Sequence, residues 1–143
     1  MVLADTGYWL ALANSRDRWH GAAVAATRRL DEALVVTWPV ITETCHLLLS
    51  RLGVRAELRF IEQMSRNVEI HEMGQRHLDA VHGLMEKYAN LPMDLTDASL
   101  VVAATELGEG RILSTDQRDF DTYRWKDTEP FHNLLRMTAT GIG

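Results

Sequence analysis

Residues 91–108 read LPMDLTDASLVVAATELG. From Ala98 to Ala104 the run is almost wholly apolar, which predicts a helix buried on most of its sides. Two aspartates, Asp94 and Asp97, stand at its head, and Gly108 marks its end. Asp is a favoured N-cap, and negative charge suits a helix N-terminus, so capping accounts for about 1 kcal/mol here. Either Thr96 caps a helix that starts at Asp97, or Asp94 caps and Asp97 takes the third helical position, as in a capping box.

Outward from this helix, strands and helices alternate. "MVLAD" reads as a short buried strand, followed by a helix over "TGYWLALAN" and a second over "DRWHGAAVAATRRLDEA". "ALVVTW" is a strand candidate with paired β-branched residues. Pro39 suits the first turn of a helix over "PVITETCHLLLSRLG", which Gly53 stops. "VRAELRFIEQMSRN" is helical, with Leu58, Ile61 and Met64 expected on one face. "VEIHEM" is a strand, and "RHLDAVHGLMEKYAN" an amphipathic helix through Leu78, Val81, Met85 and Tyr88. "RILSTD" is a strand, the tail from Gln117 is left unassigned, and its last segment, "HNLLRMTATGIG", is open between an edge strand and disorder. The alternation predicts one α/β domain over 1–143, with a mostly parallel sheet and helices on both faces.

Bulk composition excludes several classes. With 143 residues, 46% hydrophobic and 24% charged, the chain suits a single globular domain with its own core. One cysteine, Cys45, rules out an intrachain disulfide and suits a reducing, cytoplasmic compartment. No signal peptide and no membrane span are legible. The net charge of -5 counts against the strong positive field of a typical nucleic-acid binder. Of 15 basic residues all but Lys87 and Lys126 are Arg, which suits local, bidentate contact with phosphate.

In parallel sheets ligands bind beyond the carboxyl ends of the strands. Asp5 closes the first strand and Asp116 the strand "RILST". Glu43 lies in the first turn or so of a helix that follows a strand, and Asp97 begins another. All four are predicted at one rim. Singly, each has a plainer explanation: Asp5 as a cap, Asp116 opening a turn with Asp119, Glu43 paired with an Arg. Together they do not, because two carboxylates 4 Å apart repel by about 4 kcal/mol at an effective dielectric of 20. Such a cluster holds protons or a cation, and an all-oxygen set suits Mg²⁺, Mn²⁺ or Ca²⁺. One or two metals there fit phosphodiester hydrolysis.

Four motifs in order, "LADTGYWLALAN", "VVTWPVITETCHLL", "LPMDLTDASLVVAA" and "RILSTDQRDF", resemble the PIN domain, in particular the VapC-type toxins of toxin–antitoxin pairs. The resemblance spans nearly the whole chain. It implies a three-layer α/β/α sandwich and a Mg²⁺- or Mn²⁺-dependent ribonuclease. It carries the acidic site onto Asp5, Glu43, Asp97 and Asp116, with Asp119 at a more variable acidic position. Asp94 has no firm counterpart and keeps the capping role. Thr6 and Ser114 are candidate orienting groups, and Arg16, Arg18 and Arg118 candidate phosphate contacts. The resemblance also implies an RNA substrate, a homodimer and a cognate antitoxin. The alternatives are a PIN-like binding module without turnover and an RNA-processing nuclease that is not a toxin.

Rival chemistries lack their residues. Glu43 and His46 form one Glu-x-x-His pair, whereas a di-iron bundle needs two. Neither lysine is placed for a receiver-type phosphate acceptor, and Asp5-Thr6-Gly7 is not the Asp-x-Asp of a dehalogenase-type phosphatase. Cys45 has no evident catalytic base. Trp9, Trp19, Trp38 and Trp125 are candidates for stacking on bases, against a plainer place in the core or at an interface.

Overall fold

The computed structural model describes residues 1–137. Seven strands and seven helices follow in the order β1 (Val2–Ala4), α1 (Thr6–Ala13), α2 (His20–Arg29), β2 (Leu34–Val36), α3 (Trp38–Leu52), α4 (Val54–Arg66), β3 (Val68–Ile70), α5 (Leu78–Lys87), α6 (Leu95–Leu107), β4 (Arg111–Leu113), α7 (Gln117–Thr122), β5 (Arg124–Trp125), β6 (Glu129–Pro130) and β7 (His132–Asn133). A short 3-10 turn over Gln75–His77 leads into α5.

Five strands form one sheet in the order β3-β2-β1-β4-β7, and every pairing in it is parallel. Helices flank the sheet, as expected of an α/β/α sandwich. β1 is central, and its Val2, Leu3 and Ala4 have no exposed surface, the continuous apolar run of a strand covered on both faces. The chain builds outward from β1 through β2 and β3, then returns to the other side of β1 with β4. The direction of winding therefore reverses between β1 and β4, and that is where an open α/β sheet presents its ligand crevice.

The helices around that crevice end where their sequences say. α3 has Pro39 in its first turn and stops at Gly53, whose φ of 96° is open to glycine. α6 is buried continuously from Thr96 to Ala104 and ends on Gly108 in the left-handed region.

Two expectations change, and one left open is settled. α2 is shorter than expected, because Asn14 and Asp17 side chains accept from the Arg16 and Trp19 amides and hold 14–19 in turns. On α4 the buried residues are Phe60 and Met64, whereas Leu58 and Ile61 are exposed. Phe60 meets Trp9 edge-on at 5.8 Å, and that contact sets which stripe of α4 turns inward. The tail contributes α7, a β5–β6 hairpin and the edge strand β7, which pairs parallel with β4. The end of the segment HNLLRMTATGIG lies outside the described residues.

Candidate active site

Because β1, β2 and β4 run parallel, the residues that leave them emerge on one edge. Asp5 follows β1, and Ser114 to Asp116 follow β4. α3 starts just beyond β2 and carries Glu43 one turn in. α6 brings its N-terminus to the same edge. The result is a cleft of about 260 Å³ lined by Asp5, Thr6, Glu43, Asp94, Asp97, Asp116 and Asp119, among others. All five predicted acids thus share one cleft, and Asp94 joins them.

The plainer roles of these acids are real but partial. Asp5 caps α1, accepting from the Thr6 amide at 2.7 Å. Asp116 caps α7, accepting from the Asp119 amide at 3.2 Å. Asp94 caps α6, accepting from the Asp97 amide at 2.8 Å. This is half of a capping box. The Asp97 side chain does not return the bond; its Oδ2 accepts from Tyr123 Oη at 2.7 Å.

Hydroxyl groups, not cations, hold one further oxygen each of Asp5, Glu43 and Asp97. Ser114 Oγ donates to Asp5 Oδ2 at 2.9 Å and accepts from the Asp116 amide at 3.0 Å, so one serine ties two acids. Thr96 Oγ1 donates to Glu43 Oε2 at 2.7 Å, in place of the Arg partner that is the plain explanation of Glu43. Among the described residues no Arg, Lys or His forms an ion pair with Asp5, Glu43, Asp97, Asp116 or Asp119.

Uncompensated burial shows in the proton affinities. Burial pushes the Asp97 carboxyl from its ordinary 3.8 up to about 8, with the Asp5 charge next in effect. Burial also lifts Asp5 to about 6, against the pull of its Ser114 and Thr6 hydrogen bonds. Asp116 rises to about 6, first through burial and then through Asp119. Tyr123 is pushed upward too, by its own burial and by its bond to Asp97, so it remains a donor.

Two observations bear on a divalent cation. One carboxylate oxygen each from Asp97, Asp116 and Asp119 lie within 4.8 Å of one another. Thr6 Oγ1, in the lining of the same cleft, is buried without a hydrogen-bond partner. Hard oxygen donors, surplus negative charge and an unsatisfied hydroxyl fit a divalent metal with its water or a phosphate oxygen.

The arginines are placed differently. Arg16 and Arg118 are exposed and do not line the cleft, and Arg18 lies over the Trp19 ring at 5.8 Å. Three contributors escaped the sequence. Tyr123 has no motif to announce it. Thr115 lines the cleft against Gly7, where any Cβ would collide with the Thr115 hydroxyl, so that glycine is required by the close approach. Asn133, from β7, donates to the Ser114 carbonyl at 2.9 Å and accepts from the Ser114 amide at 3.2 Å, which holds the loop carrying Ser114 and Asp116.

Comparison with known proteins agrees with this geometry. A family model of the PIN domain matches residues 2–126. Ribonuclease VapC26 of Mycobacterium tuberculosis (strain ATCC 25618 / H37Rv) is 27% identical over 124 residues, which cover 86% of this chain and 92% of that protein. The crystal structure of Mycobacterium tuberculosis VapC20, a Sarcin-Ricin loop cleaving toxin, superposes with a TM-score of 0.76 at 20% identity, over 82% of this chain and 92% of that one. The match over most of the chain, on a parallel sheet whose carboxyl edge gathers six acids, places this protein in the PIN domain family.

Proposed function

We propose that this chain is a metal-dependent endoribonuclease, the toxin of a VapBC-type pair, with Asp5, Glu43, Asp97 and Asp116 as its catalytic acids and Asp119 as a further metal-side carboxylate. The observation that carries the reading is the convergence of these acids, without a protein cation, at the point where the sheet reverses its winding. The ribonuclease name of the 27%-identical relative supports the substrate class.

Mg²⁺ or Mn²⁺ would be held by Asp97, Asp116 and Asp119, with Asp5 and Glu43 completing the acidic wall. Such an ion supplies charge neutralisation and Lewis acidity toward a phosphoryl oxygen, and it raises the acidity of water. The chain's own residues do the positioning. Ser114 and the Thr6 amide keep Asp5 from rotating, Thr96 does so for Glu43, and Tyr123 for Asp97. The Thr6 hydroxyl is buried beside them without a hydrogen-bond partner of its own. Asp94 caps α6 and so aims the Asp97 turn at the cleft. A homodimer and an antitoxin that covers this cleft belong to the same reading. Light scattering on the purified chain measures the former, and a monomer at micromolar concentration counts against it.

The test is cleavage of total RNA and transfer RNA by the purified protein, with Mg²⁺, Mn²⁺ or EDTA, beside Asp5→Asn. Cutting that needs metal and disappears in the variant is the expected result. A folded protein that cuts neither RNA in any metal, and whose cleft takes up no cation in calorimetry, would overturn the reading in favour of a binding module.

A further inference from the structure

We propose that the groove between α5, α6 and the β5–β6 hairpin binds the phosphodiester backbone of the RNA strand beyond the cleavage cleft, through Lys87 and Lys126. The proposal rests on the nuclease reading above and extends it from the reacting phosphate to its neighbours.

The groove has a volume of about 550 Å³, and Arg76, Lys87, Arg124 and Lys126 stand in its lining against Glu106 and Asp127. Four cations against two acids make it positive in a chain whose net charge is -5. Both lysines of the chain are here. The two arginines are engaged: Arg76 with Glu106 at 3.5 Å, and Arg124 Nη1 with the main-chain carbonyls of Asp121, Thr122 and Tyr123. The lysines are not. Among the described residues neither is in an ion pair, and each ammonium rests over an aromatic ring, Lys87 over Tyr88 at 5.3 Å and Lys126 over Trp125 at 5.6 Å. Such contacts hold an ammonium without neutralising it.

Helix ends explain part of this placement. Lys87 closes α5, and Lys126 Nζ lies 4.0 Å from where a Cβ on Gly108 would stand, at the end of α6. They do not explain why both ammoniums share one groove. The hairpin turn that brings Lys126 there runs through left-handed backbone at two non-glycine residues, Lys126 (φ 45°) and Asp127 (φ 64°). Two hydrogen bonds pin it: the Lys126 amide to Thr105 Oγ1 at 3.0 Å, and the Arg124 amide to Tyr88 Oη at 3.0 Å.

The groove and the cleft lie along one helix. Asp97, Val101 and Thr105 follow one another at four-residue spacing along α6, and the last two line the groove. Eight residues of helix rise about 12 Å, a distance that a few nucleotides cover. Tyr123, which holds Asp97, is joined directly to Arg124. Isolated ammonium groups suit a phosphate backbone as point charges, without reading its sequence.

The test uses the full chain carrying Asp5→Asn, in EDTA, with a fluorescein-labelled single-stranded RNA of about 20 nucleotides and a labelled dinucleotide too short to span the two places. Anisotropy gives the affinity at several salt concentrations. Adding Lys87→Gln and Lys126→Gln together should weaken binding of the long RNA roughly tenfold and reduce the slope of log K against log salt by about 1.4, at 0.7 per contact. The dinucleotide should bind alike to both proteins. Lys87→Arg with Lys126→Arg should restore affinity and slope, and the salt slope is the readout that a role confined to helix ends would not move. Equal affinity and slope with and without the lysines would overturn the groove proposal and leave the nuclease reading standing. Unchanged RNA binding together with lost self-association in light scattering would assign the groove to a protein neighbour and overturn it too. No binding of the long RNA before the lysines are changed would overturn the groove proposal and leave the nuclease reading to the metal-dependent cleavage assay.

Discussion

Asp97→Asn should stabilise the metal-free protein while abolishing its activity, and the gain should grow with pH. Asp97 is 8% exposed, and its carboxyl titrates at about 8 in the fold against 3.8 when free. Between those values the unfolded chain has released this proton and the native chain keeps it. The native state binds more protons, so its stability falls as pH rises. The contribution is whole below 3.8 and has gone once pH passes about 8. Each pH unit in the window withdraws ~1.4 kcal/mol, so from about pH 5 to 7 the wild type loses ~3 kcal/mol through this group alone. Asp5 and Asp116 act in the same direction up to about pH 6 and are present in both proteins. An asparagine has no such proton, and its carbonyl can still accept from Tyr123. The stability difference between variant and wild type should therefore widen by ~3 kcal/mol across the window, about 10 °C in Tm for a chain of this size. Urea unfolding and calorimetry on EDTA-treated protein measure it. Saturating Mg²⁺ at a hundredfold excess over Kd should return ~2.7 kcal/mol to the wild type and little to the variant. A difference that stays flat from about pH 5 to 7, or an asparagine variant less stable than wild type at about pH 7.5 without metal, would refute the account of Asp97 as an acid held protonated chiefly by its burial.

Other substitutions separate positioning from capping. Tyr123→Phe removes the donor to Asp97 and should weaken metal binding by 10- to 100-fold, read by calorimetry with Mn²⁺, at a stability cost of ~1–3 kcal/mol. Asp94→Ala should cost ~1 kcal/mol in urea unfolding, and Asp94→Asn only a few tenths, with RNA cleavage kept at high metal concentration in both. Gly7→Ala drives a methyl group into the Thr115 side chain and should cost ~1–3 kcal/mol; adding Thr115→Ala should recover most of that loss, and a simple sum of the two effects would show that the close approach is not the reason for the glycine.

Much of this molecule is legible in its sequence, where the signal is local. Pro39 and Gly53 bound α3, the unbroken apolar run from Ala98 to Ala104 declares a helix without an outer face, and Val2–Ala4 declares a strand covered on both sides. Parallel strands send their carboxyl ends to one edge, so Asp5, Glu43, Asp97 and Asp116 could be gathered at one rim before any coordinates. The tertiary structure decided what spacing leaves degenerate. α4 carries two apolar stripes, and only the Trp9–Phe60 contact settles that Leu58 and Ile61 face outward. The partners of the acids were equally out of reach: Tyr123 meets Asp97 across 26 residues, Thr96 meets Glu43 across 53, and Ser114 meets Asp5 across 109. A carboxylate announces itself by residue type, because charge in an apolar setting is costly wherever it lies. The hydroxyl that holds it is one of many, and only the packing of distant elements selects which one arrives.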